Sequence, residues 1–154
     1  MKRTFGMASQ SAAAVMSRVL IVNDHPFLRD GLIRLLGQEK DLLCYGEAAT
    51  GPGAMAAVIA HRPDLVILDL LRKPANALEL IKSLKTQFPD LLILVFSNVD
   101  DRVCVAEAMS AGARGYLLTE HVANEVHNAV RTVLAGGVYL ARELTEPFLD
   151  PLIK

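Results

Sequence analysis

Two carboxylates, an amide and two hydroxyls stand directly after short apolar runs of the sequence. Asn23 and Asp24 follow VLIV, Asp69 follows LVIL, Ser97 follows LLILVF, and Thr119 follows GYLL. Two carboxylates held close together repel each other unless a cation or a proton intervenes, and hard oxygen ligands suit Mg²⁺. An aspartate beside such a metal can also act as a nucleophile toward phosphorus and form an acyl phosphate. These residue types predict a magnesium and phosphoryl site, provided that folding brings them together.

The apolar runs alternate along the chain with stretches of helical periodicity. The runs lie at 19–22, 42–48, 65–68, 91–96 and 115–118. Most of them are apolar at every position, which indicates strands buried in a parallel sheet and covered by helices on both faces. We therefore predict an α/β fold, a doubly wound five-stranded parallel sheet with five helices. Ligands of such sheets bind beyond the carboxyl ends of the strands, where the polar residues would meet.

Composition favours one domain with one main site. The chain has 154 residues, of which 52% are hydrophobic and 21% charged, and its formal net charge is -1. The basic residues are scattered, so we expect no direct binding of nucleic acid. Cys44 and Cys104 lack metal-binding or paired spacing, so we expect two reduced thiols and a cytoplasmic protein. Residues 1–16 resemble neither a signal peptide nor a membrane span, and we expect a disordered extension there and no contact with a membrane.

Five short runs in register resemble one known family. They are VLIVNDHPFLRDGL, GEAATG, RPDLVILDL, GARGYLL and AGGVYL, within Ser17 to Leu144. Their order and spacing are similar to those of the receiver domain of NarL/FixJ-type bacterial response regulators. The resemblance implies a flavodoxin-like receiver domain at 17–144 that works in two-component signal transduction and is not an enzyme. It also implies a histidine kinase or other phosphodonor as partner, and it makes a homodimer plausible.

The resemblance further implies a role for each matching residue. Asp69 would be the phosphoacceptor, and Ser97 and Tyr116 would be the switch residues. The Mg²⁺ ligands would be Asp24, Asp69, the backbone carbonyl of Leu71 and, through a water molecule, Asn23.

Two positions depart from the family pattern, and both belong to the predicted site. The family has an acidic pair after the first strand, where this chain has Asn23 before Asp24. With one negative charge fewer, Mg²⁺ binding should be weak. The family also has a lysine after GYLL, where this chain has Thr119, whose side chain is neutral and too short to replace an ammonium group. Arg72 or Lys73, after Asp69, is a candidate substitute cation.

Two other functions stay open at this point. One is a pseudo-receiver, an interaction module that works without phosphorylation because both departures weaken the site. The other is a Mg²⁺-dependent phosphohydrolase on a related sheet, which would need an acid two residues after Asp69. Leu71 occupies that position, so no general acid would be in reach. The remaining tail, 145–154, contains two prolines and cannot form a helix-turn-helix domain, so we expect this chain to act through protein contacts.

Overall fold

The structure is a computed structural model that describes residues 16–47, 51–69, 74–98 and 102–141. Strands and helices alternate through these ranges. In chain order they are β1 (Ser17–Val22), α1 (Pro26–Gly37), β2 (Leu42–Glu47), α2 (Gly51–His61), β3 (Leu65–Asp69), α3 (Pro74–Gln87), β4 (Leu92–Ser97), α4 (Arg102–Ala111), β5 (Gly115–Leu118), a 3₁₀ turn (Thr119–His121), α5 (Val122–Leu134) and β6 (Tyr139–Leu140).

The strands form one parallel sheet in the order β2-β1-β3-β4-β5-β6. Apolar side chains cover both of its faces in two separate cores. One core lies between the sheet and helices α2, α3 and α4, and the other lies between the sheet and helices α1 and α5. The central strands are apolar at successive positions because each position faces one core or the other. The predicted doubly wound α/β fold is therefore confirmed.

A sixth strand is the main difference from the predicted five. Residues of β6 pair with Gly115 and Tyr116 of β5 in parallel register, and the Tyr139 amide donates to the Arg114 carbonyl at 3.0 Å. The chain reaches this position through Gly136, whose φ of +94° gives the left-handed turn that ends α5. A strand of two residues is too short to show an alternating pattern, so it could not be predicted from hydrophobic periodicity.

Some expectations fall outside the described residues. Residues 1–15 of the extension expected at 1–16 and the whole tail at 145–154 lie there, as do Leu71, Arg72 and Lys73. The predicted boundaries and these three residues therefore stay predictions. Among the helices that the structure does describe, none is long and apolar enough to cross a membrane.

Candidate functional site

The carboxyl edge of the sheet brings together the polar residues that follow the strands. Val22 of β1 pairs with Leu68 of β3, so the next residues along, Asn23 and Asp69, stand opposite each other. Asp69 in turn pairs with Phe96, immediately before Ser97. Asn23, Asp69 and Ser97 therefore lie at one edge of the sheet, and Asp69 lies between the other two.

Asn23 is held firmly at this edge. Only 2% of its surface is exposed, and its Oδ1 accepts a hydrogen bond from the His25 backbone N–H at 2.6 Å. Its backbone carbonyl accepts a second bond from Nη1 of Arg29 at 2.8 Å. The first bond is the local turn that asparagine side chains commonly make, and it identifies which end of the amide is the oxygen. Asn23 is therefore fixed in backbone position and in the orientation of its amide.

Arg29 is the site residue that the sequence analysis missed. It lies in the first turns of α1, and its backbone N–H donates to the His25 carbonyl while its side chain reaches back to Asn23. A long basic side chain shortly after Pro26, at the helix start, was the available signal. The pattern alone could not distinguish that contact from a solvated surface arginine.

Among the residues that the structure describes, the nitrogen of the Asn23 amide has no hydrogen-bond partner. Nδ2 is buried and makes no hydrogen bond, and the one other buried side-chain atom in that state within the described residues is Oγ1 of Thr119. Leaving a buried polar group unsatisfied costs about 1–3 kcal/mol. Such atoms are uncommon in folded proteins and call for a specific explanation, such as a ligand. Here both of them fall at the two positions that depart from the family pattern.

The two carboxylates differ in exposure. Asp24 is exposed and Asp69 is half-buried at the end of β3. No group of three His, Cys, Asp or Glu side chains within the described ranges could hold a metal ion by itself. Mg²⁺ commonly needs only one or two carboxylates because it keeps several of its waters. Two carboxylates at one sheet edge, with an amide oxygen nearby, suit that ion by ligand type.

The proposed switch residues are both buried. Ser97 and Tyr116 are 0% exposed. Tyr116 pairs with Val95, two residues before Ser97, so the alternation of β4 places Ser97 and Val95 on the same face of the sheet. In this structure Tyr116 belongs to the core under α2, α3 and α4.

The two cysteines are not among the predicted site residues. Both side chains are partly buried. Burial raises the pKa of the Cys44 thiol to about 11, so it stays protonated at neutral pH.

A parallel sheet in this strand order, with carboxylates at its carboxyl edge, defines a flavodoxin-like receiver fold. Residues 19–131 match the family model described as "Response regulator receiver domain". The chain belongs to this family of two-component response regulator receiver domains.

Individual relatives agree with this assignment. The chain is 37% identical to the DNA-binding transcriptional activator DevR/DosR of Mycobacterium tuberculosis, over 79% of this chain and 56% of that protein. It is 31% identical to the transcriptional regulatory protein DegU of Brevibacillus brevis, over 83% and 54%. A LuxR-family two-component response regulator from Aurantimonas sp. SI85-9A1 shares the fold, with a TM-score of 0.82 at 24% identity, covering 90% of this chain and 99% of that one.

The comparisons correct one expectation about partners. The chain spans about half the length of the curated relatives it matches. One of these relatives is a DNA-binding activator by name, so the expectation that nucleic acid is not a partner is wrong. The near-zero net charge was counted over a receiver domain. It does not predict whether the longer regulators in which such domains occur bind nucleic acid.

Proposed function

We propose that this receiver domain accepts a phosphoryl group on Asp69 in the presence of Mg²⁺. The observation that carries the proposal is the position of Asp69. It ends the central strand β3, it is half-buried, and its register neighbours are Asn23 on one side and the end of β4 on the other. A carboxylate in this position is accessible to a phosphodonor and is also surrounded by groups that can respond to the new charge.

The residues at the edge divide the chemistry among them. Asp69 supplies the oxygen that attacks phosphorus, while the bond from phosphorus to the donor's leaving group breaks. Asp24, Asp69 and the Leu71 carbonyl would hold Mg²⁺, whose charge offsets the negative charge of the transferred group. Oδ1 of Asn23 has a second lone pair that can accept from a metal-bound water. With two carboxylates and one amide in this set, the metal affinity should be low.

The signal would pass from Asp69 through Ser97 to Tyr116. The Ser97 hydroxyl can donate to a phosphoryl oxygen, which would change the space available to the Tyr116 ring on the same side of the sheet. Both residues are fully buried in a closely packed interior, so a change in the position of one side chain alters the packing of the other. Because a relative of this chain is a DNA-binding activator, we propose that the final output is control of transcription.

A phosphorylation-independent pseudo-receiver is the second candidate. The observation that favours it is Thr119, whose neutral, buried hydroxyl stands where the family has a lysine. Without that cation, the phosphorylated state has less to stabilise it.

Intact-mass measurement distinguishes the two. The protein is incubated with Mg²⁺ and acetyl phosphate, alongside Asp69→Asn and, as a matched control at an exposed turn, Asp90→Asn. We expect the mass of one phosphoryl group on the wild-type protein and on the control, and none on Asp69→Asn. If the wild-type mass does not change, phosphoacceptance is refuted and the pseudo-receiver is favoured.

A further inference from the structure

We propose that the Asn23 amide is a hydrogen-bond donor to the phosphoryl group on Asp69. This inference rests on the proposed function and adds a residue to it. In this proposal, Nδ2 of Asn23 donates a hydrogen bond to a phosphoryl oxygen. The carboxylate that the family has at this position can accept hydrogen bonds but cannot donate one.

The first support is the state of the amide. Oδ1 already accepts from the His25 N–H at 2.6 Å, and Nδ2 has no hydrogen-bond partner within the described part of the chain. Asn23 is only 2% exposed and Nδ2 itself is buried, so bulk water does not satisfy this nitrogen. An N–H group requires an acceptor, and a metal cation cannot be one. The missing partner must therefore carry lone pairs, as phosphoryl oxygens do.

The second support is the register of the sheet. Asn23 and Asp69 follow the paired residues Val22 and Leu68, and adjacent strands lie roughly 4.8 Å apart. Two residues earlier on each strand, Ile21 and Ile67 pair and belong to the same core. By strand alternation, Asn23 and Asp69 therefore occupy positions on the same face. A group attached to Asp69 would lie within one strand spacing of the amide.

The third support is charge. A phosphoryl group on Asp69 adds negative charge beside Asp24, and this chain offers no lysine at position 119 to offset it. A neutral donor at position 23 contributes a hydrogen bond without adding a further negative charge. Thr119, by contrast, lies two strands away from β3, on the far side of β4. In the strand order, Asn23 is therefore one strand from Asp69, whereas Thr119 is two strands from it.

The test measures the affinities for Mg²⁺ and for beryllium fluoride, which the proposal predicts will change in opposite directions in one variant. Mg²⁺ binding is followed by isothermal titration calorimetry, and binding of beryllium fluoride, a phosphoryl analogue, is followed by ¹⁹F NMR at saturating Mg²⁺. The full chain is compared with Asn23→Asp, which keeps the size and the Oδ1 acceptor but replaces the donor. Asn128→Asp is the control, since it makes the same chemical change at an exposed position of α5.

Opposite effects on the two ligands are expected. Asn23→Asp should bind Mg²⁺ more tightly, because ligand charge increases, and beryllium fluoride about tenfold more weakly, because the donor is lost. Asn128→Asp should change neither. A residue that only shaped the turn at His25 would not move the two affinities in opposite directions.

Each of the other possible results also tests the proposed Asn23 hydrogen bond. If Asn23→Asp binds beryllium fluoride as tightly as the wild-type protein or more tightly, the inference is overturned while the phosphoacceptor function stands. If the wild-type protein binds none, both fail. If Asn23→Asp does not fold, Asn23→Ala decides instead, since it removes the donor without adding charge. Unchanged beryllium fluoride affinity in Asn23→Ala then refutes the inference.

Discussion

At the scale of single residues, Thr119 carries a buried hydroxyl that lacks a hydrogen-bond partner among the described residues. Valine has nearly the same shape without the hydroxyl. We expect Thr119→Val to raise the free energy of unfolding by about 1 kcal/mol, because the unsatisfied group is removed. Urea denaturation measures the change.

Thr86→Val is the matched control for this substitution. The Thr86 hydroxyl is exposed and donates to the Lys82 carbonyl at 2.8 Å, so its removal relieves no unsatisfied group. We expect no gain in stability for Thr86→Val. A marked loss of stability in Thr119→Val would mean that the hydroxyl makes an interaction in solution, contrary to the structure.

The residue types at the site could be predicted from the sequence, but their hydrogen bonds could not. Position after an apolar run was enough to place Asn23, Asp69 and Ser97 at one edge, because parallel strands end together. It could not show that the Asn23 oxygen is engaged by His25, nor that Arg29 holds the Asn23 carbonyl. Those contacts depend on the conformation of the loop between β1 and α1, which the hydrophobic periodicity of the sequence does not predict.

At the scale of elements, two glycines differ in the space available for a side chain. A Cβ added to Gly115 in β5 would lie 2.7 Å from Cδ1 of Leu94 and 3.2 Å from the Tyr139 carbonyl. A Cβ added to Gly31, inside α1, would meet nothing within 4 Å. The first glycine is required by close packing of β5 against its neighbours, and the second is a weak point in a helix.

Alanine substitution separates these two roles. Gly115→Ala should lower the free energy of unfolding by about 1–3 kcal/mol, because β6 or Leu94 must shift. Gly31→Ala should raise it by about 0.5–1 kcal/mol through helix propensity. Chemical denaturation of both variants checks the signs. Equal effects would contradict the packing described around β5.

The element boundaries show where sequence patterns are reliable. Strand β5 has the predicted bounds, because a continuous apolar run flanked by turn residues identifies it. In α2, the adjacent apolar residues Val58 and Ile59 differ, since Val58 is buried but Ile59 is 52% exposed. A helix of small apolar residues has a weak amphipathic pattern, so its buried face cannot be chosen from the sequence alone.

At the scale of the whole molecule, one arginine joins segments that are far apart in sequence. Arg131 of α5 binds both carboxylate oxygens of Asp41 at 2.6 and 2.7 Å and Oε1 of Glu39 at 2.7 Å. Asp41 and Glu39 lie in the turn between α1 and β2. His127 of α5 adds a contact to the Leu35 carbonyl of α1 at 2.8 Å. None of these contacts has a local sequence signal. The sequence therefore predicts helices α1 and α5 but not the side-chain contacts that join α5 to α1 and to the turn before β2.

The Arg131 pair should make stability depend on pH and salt. The guanidinium hydrogen bonds hold the pKa of Asp41 below its usual value, so the folded state binds this proton less readily than the unfolded state. The contribution is therefore present above pH 3.8, the ordinary pKa, and is lost as the pH falls through the lower folded value. Arg131→Gln removes it, so wild-type protein should exceed the variant in stability at pH 7 and approach it in strong acid. Because Arg131 and Asp41 are 39% and 55% exposed, the difference should also shrink in high salt.

Thermal unfolding of both proteins across this pH range, at low and high NaCl, measures the effect. Lys82→Gln is the control, since the Lys82 ion pair with Glu79 spans one helical turn of α3 at 3.5 Å and joins no distant segments. A gap between wild type and Arg131→Gln that stays constant from pH 7 into strong acid would contradict the assignment to Asp41. A gap that stays constant in acid and is also insensitive to salt would instead assign the loss to the packing of the arginine stem, with the charge itself contributing little.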